Sequence, residues 1–128
     1  MIDHTGIHVS KPDVSRAFYE KALAPLGYTV LMEIPTAVTG GKVVFGMGVA
    51  PKADFWVAEG DPESPRVHIA FRASSRAEVD AFHAAALAAG GKDNGPPGLR
   101  PHYHAGYYGA FVLDPDGHNV EAVIHDAT

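Results

Sequence analysis

The chain has 128 residues, 46% of them hydrophobic and 20% charged, which fits one globular domain and excludes wholesale disorder or a fibrous repeat. A formal net charge of −5, without clustered Lys and Arg, argues against a nucleic-acid surface, and the absence of cysteine excludes disulfides, thiolate ligands and a Cys nucleophile. Met1 to Val9 lacks the basic start and apolar core of a signal peptide and no apolar run approaches the roughly 20 residues that span a bilayer, so the expectation is a cytoplasmic protein without a membrane partner.

Asp3 to Val9 reads as a short strand rich in β-branched residues. Ser10, Pro12 and Asp13 start a helix whose apolar stripe is Val14, Ala17, Phe18 and Leu23, and Gly27 ends it. Three strands follow, near Tyr28 to Ile34, Lys42 to Gly46 and Asp54 to Ala58, broken by Gly40-Gly41 and Pro51-Lys52. Arg66 to Ala73 is the next strand, and Ser75 with Glu78 caps a second helix with the stripe Val79, Phe82, Ala86 and Leu87, closed by Gly90-Gly91. Gly95 to Gly98 looks like a loop and Tyr107 to Leu113 like a strand. Asp114-Pro115-Asp116-Gly117 is a turn into the last strand, Asn119 to Ile124.

The order strand, helix, three strands therefore occurs twice, and an ungapped slide of 64 residues pairs the halves, His4 with His68, Phe18 with Phe82 and Leu23 with Leu87. The modules, approximately 1–62 and 63–128, have no linker between them and are expected to share one core as a single domain.

Without cysteine, any metal must be held by His, carboxylate or water, so the eight histidines are informative. Strand alternation puts Ile7 and Val9 toward the helix layer and His4, Gly6 and His8 on the opposite face. The second module sets Val67, Ile69 and Phe71 against His68 and Ala70, and the last strand sets Glu121 between Val120 and Ala122. Taken singly, a strand histidine is more often a surface or hydrogen-bonded core residue than a ligand, and such a carboxylate more often faces solvent. The duplicated position of His4 and His68 is what favours a two-His, one-carboxylate set, which suits Fe(II), Mn(II), Zn(II) or a similar ion and leaves positions for a chelating substrate.

Asp3-His4-Thr5-Gly6-Ile7-His8-Val9-Ser10, Ala17-Phe18-Tyr19, Val67-His68-Ile69-Ala70 and Asp114-Pro115-Asp116-Gly117-His118-Asn119-Val120-Glu121 resemble the vicinal oxygen chelate superfamily. It includes glyoxalase I, extradiol dioxygenases, methylmalonyl-CoA epimerase, fosfomycin resistance enzymes and bleomycin-binding proteins. The resemblance covers nearly the whole chain. It implies an α+β fold of two βαβββ modules in a half-barrel around one divalent ion (Zn, Ni, Fe, Mn or Co), often in a homodimer, with His4, His68 and Glu121 as ligands and Glu121 also catalytic. In the fourth strand, where glyoxalase I enzymes supply a further ligand, this chain has Trp56 or Val57, and Glu59 reaches that place only in a different register.

His8 and Trp56 are candidate substrate contacts, as are Tyr103, Tyr107 and Tyr108 from a loop at the cavity mouth. His102 and His104 form a possible second metal pair if their segment is extended; His118 falls in a turn, and His83 and His125 are expected to be exposed. The function implied is a metal-dependent lyase, isomerase or dioxygenase acting on vicinal oxygens of a small molecule. The alternatives are a metal-free drug-sequestering protein on the same scaffold and a regulatory module with a vestigial metal site.

Overall fold

A computed structural model describes residues 1–125. The first module runs β1 (Thr5–Val9), α1 (Pro12–Leu23), β2 (Thr29–Glu33), a single helical turn α2 (Thr36–Thr39), β3 (Val44–Gly48) and β4 (Phe55–Glu59). The second runs β5 (His68–Arg72), α3 (Arg76–Ala88), β6 (Lys92–Leu99), β7 (Tyr108–Leu113) and β8 (Asn119–Ile124). Each module makes one four-stranded sheet, β1-β4-β3-β2 and β5-β8-β7-β6, in which the first strand lies parallel to the last and the other pairs are antiparallel. The fold is the expected α+β duplication.

The sheets share one core built from their helix-facing sides. Ile7 and Val9 of β1, Phe55 and Val57 of β4, Phe71 of β5 and Ala110 and Val112 of β7 are all buried with Phe18, Tyr19, Val79 and Phe82 from the helices. Edge-to-face rings join the modules: Phe55, which meets Tyr19 of its own module at 5.2 Å, meets Phe71 at 5.1 Å, and Phe71 meets Tyr28 at 5.3 Å. Because both helix-facing sides are used in this core, the polar face of each sheet looks outward from it.

Several local readings need correction. On α1 the buried stripe is Ser15, Phe18, Tyr19, Ala22 and Leu23, whereas Val14 and Ala17 are exposed. Spacings of three and four place this set on one side, and the small Ser15 fits the interface despite its hydroxyl. Ser10 does not cap α1. The N-cap is Lys11, without a side-chain cap, and Ser10 instead donates from its N–H and hydroxyl to Asp116. Ser75 does cap α3, accepting from Glu78 N–H at 3.2 Å, while Leu87 is 37% exposed and only borders the core. Gly95 to Gly98 lies inside β6. Two register shifts, between Asp93 and Gly95 and between Gly95 and Gly98, let Pro96 and Pro97 sit where no ladder N–H is needed. Arg100 turns back on the same strand and donates to the carbonyls of Gly98 at 2.9 Å and Pro96 at 2.8 Å.

The turn between β7 and β8 fastens the modules together. Asp114, 5% exposed, accepts from the buried Tyr19 hydroxyl at 2.6 Å and from the N–H groups of Asp116 and His118 at 2.9 and 2.8 Å. Burial first, and then the Asp114 carboxylate, raises the Tyr19 phenol well above its ordinary value. His118 is 1% exposed; its Nδ1 accepts from Val67 N–H at 3.2 Å and its Nε2 donates to the His8 carbonyl at 3.0 Å.

Candidate functional site

The outward face of the second sheet gathers the polar chemistry. β5 and β8 run parallel with Ala70 opposite Glu121, so His68 and Glu121 are diagonal neighbours on one face. His68 Nε2 lies 2.8 Å from Glu121 Oε1. The Glu121 carboxylate is 1% exposed against 51% for the His68 ring, so the pair has a sheltered acid and an accessible imidazole. Glu121 Oε2 accepts from the Tyr107 hydroxyl, and burial first, then this bond, raises the Tyr107 phenol above its ordinary value.

β7 completes the floor. Phe111 stands opposite Glu121 in register, its ring 6.1 Å from the His68 ring, and the Arg100 guanidinium lies 5.5 Å over it. Gly109 leaves room for the Tyr107–Glu121 contact: a Cβ there would sit 3.2 Å from Glu121 Oε2 and 3.3 Å from Tyr107 Cε1, so both side chains would have to give by a few tenths of an ångström. Sequence reasoning passed over Phe111, Arg100 and Gly109. The alternation Tyr107, Gly109, Phe111 carried the signal, since residues two apart share a strand face.

His4 is placed differently. It precedes β1 rather than lying in it, its ring is 61% exposed, and Nδ1 is 2.7 Å from Asp3 Oδ1. Asp3 also accepts from Lys52, and that bond first, then the one with His4, holds its carboxyl below its ordinary value. His4 and His68 both line a cleft of about 380 Å³ along the seam of the modules, floored by Tyr28, Phe55 and Phe71. Yet among the described residues no group of three His, Asp or Glu side chains is placed to hold one metal ion. His68 and Glu121 are thus in contact, and His4 lines the same cleft as His68 with its ring bonded to Asp3.

The other candidates divide similarly. Gly6 pairs with Trp56 in the first sheet as Ala70 pairs with Glu121 in the second, so Trp56 occupies the place equivalent to Glu121. Its half-buried ring lies against Gly46 and lines a shallow surface with His4, Thr5, Gly6 and Val44. Glu59 follows Phe55 and Val57 on the core side and accepts from Val43 N–H at 3.0 Å, so its register takes it away from the polar face. His8 bonds through Nδ1 to Glu63 Oε2 at 2.6 Å, at the far end of β1 from His4. Burial alone would raise the Glu63 carboxyl, but the bonds from His8 outweigh it and lower it.

Tyr103 is 55% exposed and meets the Tyr107 ring edge-on at 4.9 Å. Tyr108 does not reach the mouth of the site; its hydroxyl donates to Asp80 at 2.6 Å. His102 and His104 do not form the expected pair, because residues 101–103 form a turn rather than a strand. His102 lies against Tyr103, while His104 Nε2 meets His125 Nδ1 at 2.7 Å. His125 is exposed as expected, but His83 is mostly covered beside Asp93 at 3.0 Å.

A family model described as the glyoxalase/bleomycin resistance protein/dioxygenase superfamily matches residues 1–122. The chain belongs to this superfamily. Among solved structures it is similar to a glyoxalase/bleomycin resistance protein from Albidiferax ferrireducens, with 26% identity and a TM-score of 0.70 over 94% of this chain and 95% of that one. Glyoxalase I from Zea mays, as a mutant, shares the fold at 23% identity and a TM-score of 0.70, covering 94% of this chain and 45% of that one. The fosfomycin resistance protein FosX of Listeria monocytogenes, a mutant complexed with Mn(II) and dihydroxypropylphosphonic acid, aligns at 20% identity and a TM-score of 0.66, over 100% of this chain and 90% of that one. No curated protein sequence matches the chain. Among the described residues no helix is long and apolar enough to cross a membrane.

Proposed function

We propose that this superfamily member is a divalent-metal-dependent enzyme, a lyase, isomerase or dioxygenase acting on vicinal oxygens of a small molecule, with His68, Glu121 and His4 as ligands. The observation that carries the reading is the pairing of His68 Nε2 with the buried Glu121 Oε1 at 2.8 Å. Two donors so spaced fit neighbouring positions around one ion with bonds of about 2.0–2.2 Å, and imidazole with carboxylate suits Zn, Mn, Fe, Co or Ni. When bound, the ion supplies Lewis acidity, stabilising negative charge on the chelated oxygens.

The chain's own residues set the terms around it. Glu121, sheltered from water, orients His68 and is the group able to exchange a proton with a substrate carbon next to the ion. Phe111 and the half-buried Trp56 supply apolar walls, and His8, with its Nδ1 held by Glu63, keeps Nε2 free at the far end of the first sheet's polar face. His4 is supplied by a second copy of the chain in a homodimer. β1 and β5 are both edge strands, so each has an unpaired side on which another copy can dock, and the two-donor cluster is incomplete without one.

The experiment is metal analysis of protein purified without added ions, then of His4→Ala and His68→Ala. Stoichiometric metal in the parent and at least a tenfold weaker hold in each variant are expected. Mixing the two variants after dissociation should restore part of the binding, because mixed dimers contain one intact site. A metal-free parent refutes the reading.

A second reading, a metal-free binder of small apolar molecules, draws support from Trp56 at the place equivalent to Glu121 and from the aromatic floor of the seam cleft. It predicts no metal in any preparation and a ligand-dependent rise in melting temperature.

A further inference from the structure

We infer that Tyr107 is a positioning residue that makes Glu121 a one-oxygen ligand, its hydroxyl occupying Oε2 so that only Oε1 is presented beside His68 Nε2. The inference rests on the metal-binding reading above and adds a role for a hydroxyl otherwise expected to contact substrate.

Three observations carry it. First, the two carboxylate oxygens have different partners: Oε2 accepts from the Tyr107 hydroxyl and Oε1 faces His68 at 2.8 Å. With Glu121 only 1% exposed, bulk water is a poor substitute for the phenol, and the carboxylate is held in one rotation about its last bond. Second, Tyr107 is itself braced. Its ring meets Tyr103 at 4.9 Å, His104 at 5.3 Å and His125 at 5.1 Å, all near perpendicular. His104 Nδ1 lies 2.8 Å from the Ala105 carbonyl and carries the proton there, which leaves Nε2 to accept from His125 Nδ1 at 2.7 Å and ties the two flanking rings together. Third, the glycine at residue 109 leaves the meeting point uncrowded, since a Cβ would come within 3.2 Å of Oε2 and 3.3 Å of the phenol ring.

The geometry has a chemical consequence. A carboxylate with both oxygens free can swing to bind an ion through two, filling a position that a chelating substrate needs. With Oε2 held by the phenol, binding through Oε1 leaves that position open. Hydrogen bonding to the outer oxygen also orients the ligand, an effect worth about 10–100-fold in metal affinity at comparable sites.

The test is titration of the full chain with Co(II) and Zn(II), following heat and the visible absorption of Co(II). Tyr107→Phe is expected to weaken binding about tenfold and to lower the intensity of the Co(II) bands as the released carboxylate adds its second oxygen. Gly109→Ala, which keeps the phenol but obstructs its approach, should shift both readouts the same way, and Tyr103→Phe, which keeps the edge contact, should shift neither. Equal affinity and an unchanged Co(II) spectrum in Tyr107→Phe overturn the inference and leave the metal-binding reading standing. Absence of Co(II) and Zn(II) binding by the parent protein overturns both.

Discussion

Asp114→Ala should be among the most destabilising single changes outside the aromatic core, though Asp114 touches neither His68 nor the cleft. The carboxylate serves three donors: the Tyr19 hydroxyl of α1 at 2.6 Å and the N–H groups of Asp116 and His118 at 2.9 and 2.8 Å. Water can partly replace the acid at the part-buried Asp116 N–H, but less so at the buried His118 N–H. Tyr19, 0% exposed, has no such substitute. Stranding a buried donor costs about 1–3 kcal/mol, and bonds to a charged acceptor contribute about 1.5–3 kcal/mol, so a total of about 3–4 kcal/mol is expected. At the roughly 3–4 °C per kcal/mol expected for a domain of this size, the melting temperature should fall by about 10 °C. Tyr19→Phe removes the donor with its need and should cost less, about 1–2 kcal/mol. In the double variant the two effects should be less than additive. Thermal and urea unfolding followed by far-UV circular dichroism measure all three. A fall below about 2 °C in Asp114→Ala, or full additivity with Tyr19→Phe, would refute the claim that this acid joins the modules.

The His8–Glu63 contact gives a pH dependence. Because the folded state lowers the Glu63 carboxyl, its contribution is present above the unfolded value of about 4.3 and is lost as pH falls through the folded one. Glu63→Gln should therefore lower the unfolding free energy slightly at pH 7, by under about 1 kcal/mol for so exposed a pair, and the gap to the parent should close near pH 3; a constant gap refutes the assignment. Gly109→Ala should cost about 1–3 kcal/mol by crowding Glu121 and Tyr107, measurable by urea unfolding, and an unchanged midpoint would mean that the strand yields freely. Trp56→Glu places a carboxylate where the duplication has its equivalent of Glu121, and titration calorimetry should show tighter Zn(II) binding than in the parent; unchanged affinity would show that this place does not face the ion.

Much of this architecture could be read in advance because duplication and alternation are local properties. The two βαβββ units, the burial of Ile7, Val9 and Phe71, and the facing of His68 away from the helices all follow from period-two and period-3.6 patterns. What escaped depends on contacts between distant segments. Ser10 has the chemistry of a helix cap, but Asp116 captures it from the other module. Gly95 to Gly98 has the composition of a loop, yet two bulges and the reach of Arg100 keep it in the sheet. His118 reads as a turn residue and is buried between the modules because both its ring nitrogens find backbone partners.

The site departs from the duplication at one point, and that point bears on how many copies the chemistry needs. Had the modules stayed equivalent, each polar face would carry a histidine and a carboxylate. Instead the second carries His68, Glu121 and Tyr107 in mutual contact, while the first has His4 bonded to Asp3 and a tryptophan where the acid would stand. His4 and His68 line one cleft, but among the described residues no three His, Asp or Glu side chains are gathered to hold an ion. As they are placed, His68 and Glu121 offer an ion one imidazole and one carboxylate oxygen, and the proposed dimer is what would supply the third donor. Tight binding by an isolated monomer would contradict this reading of the fold, whereas binding that strengthens with protein concentration follows from it.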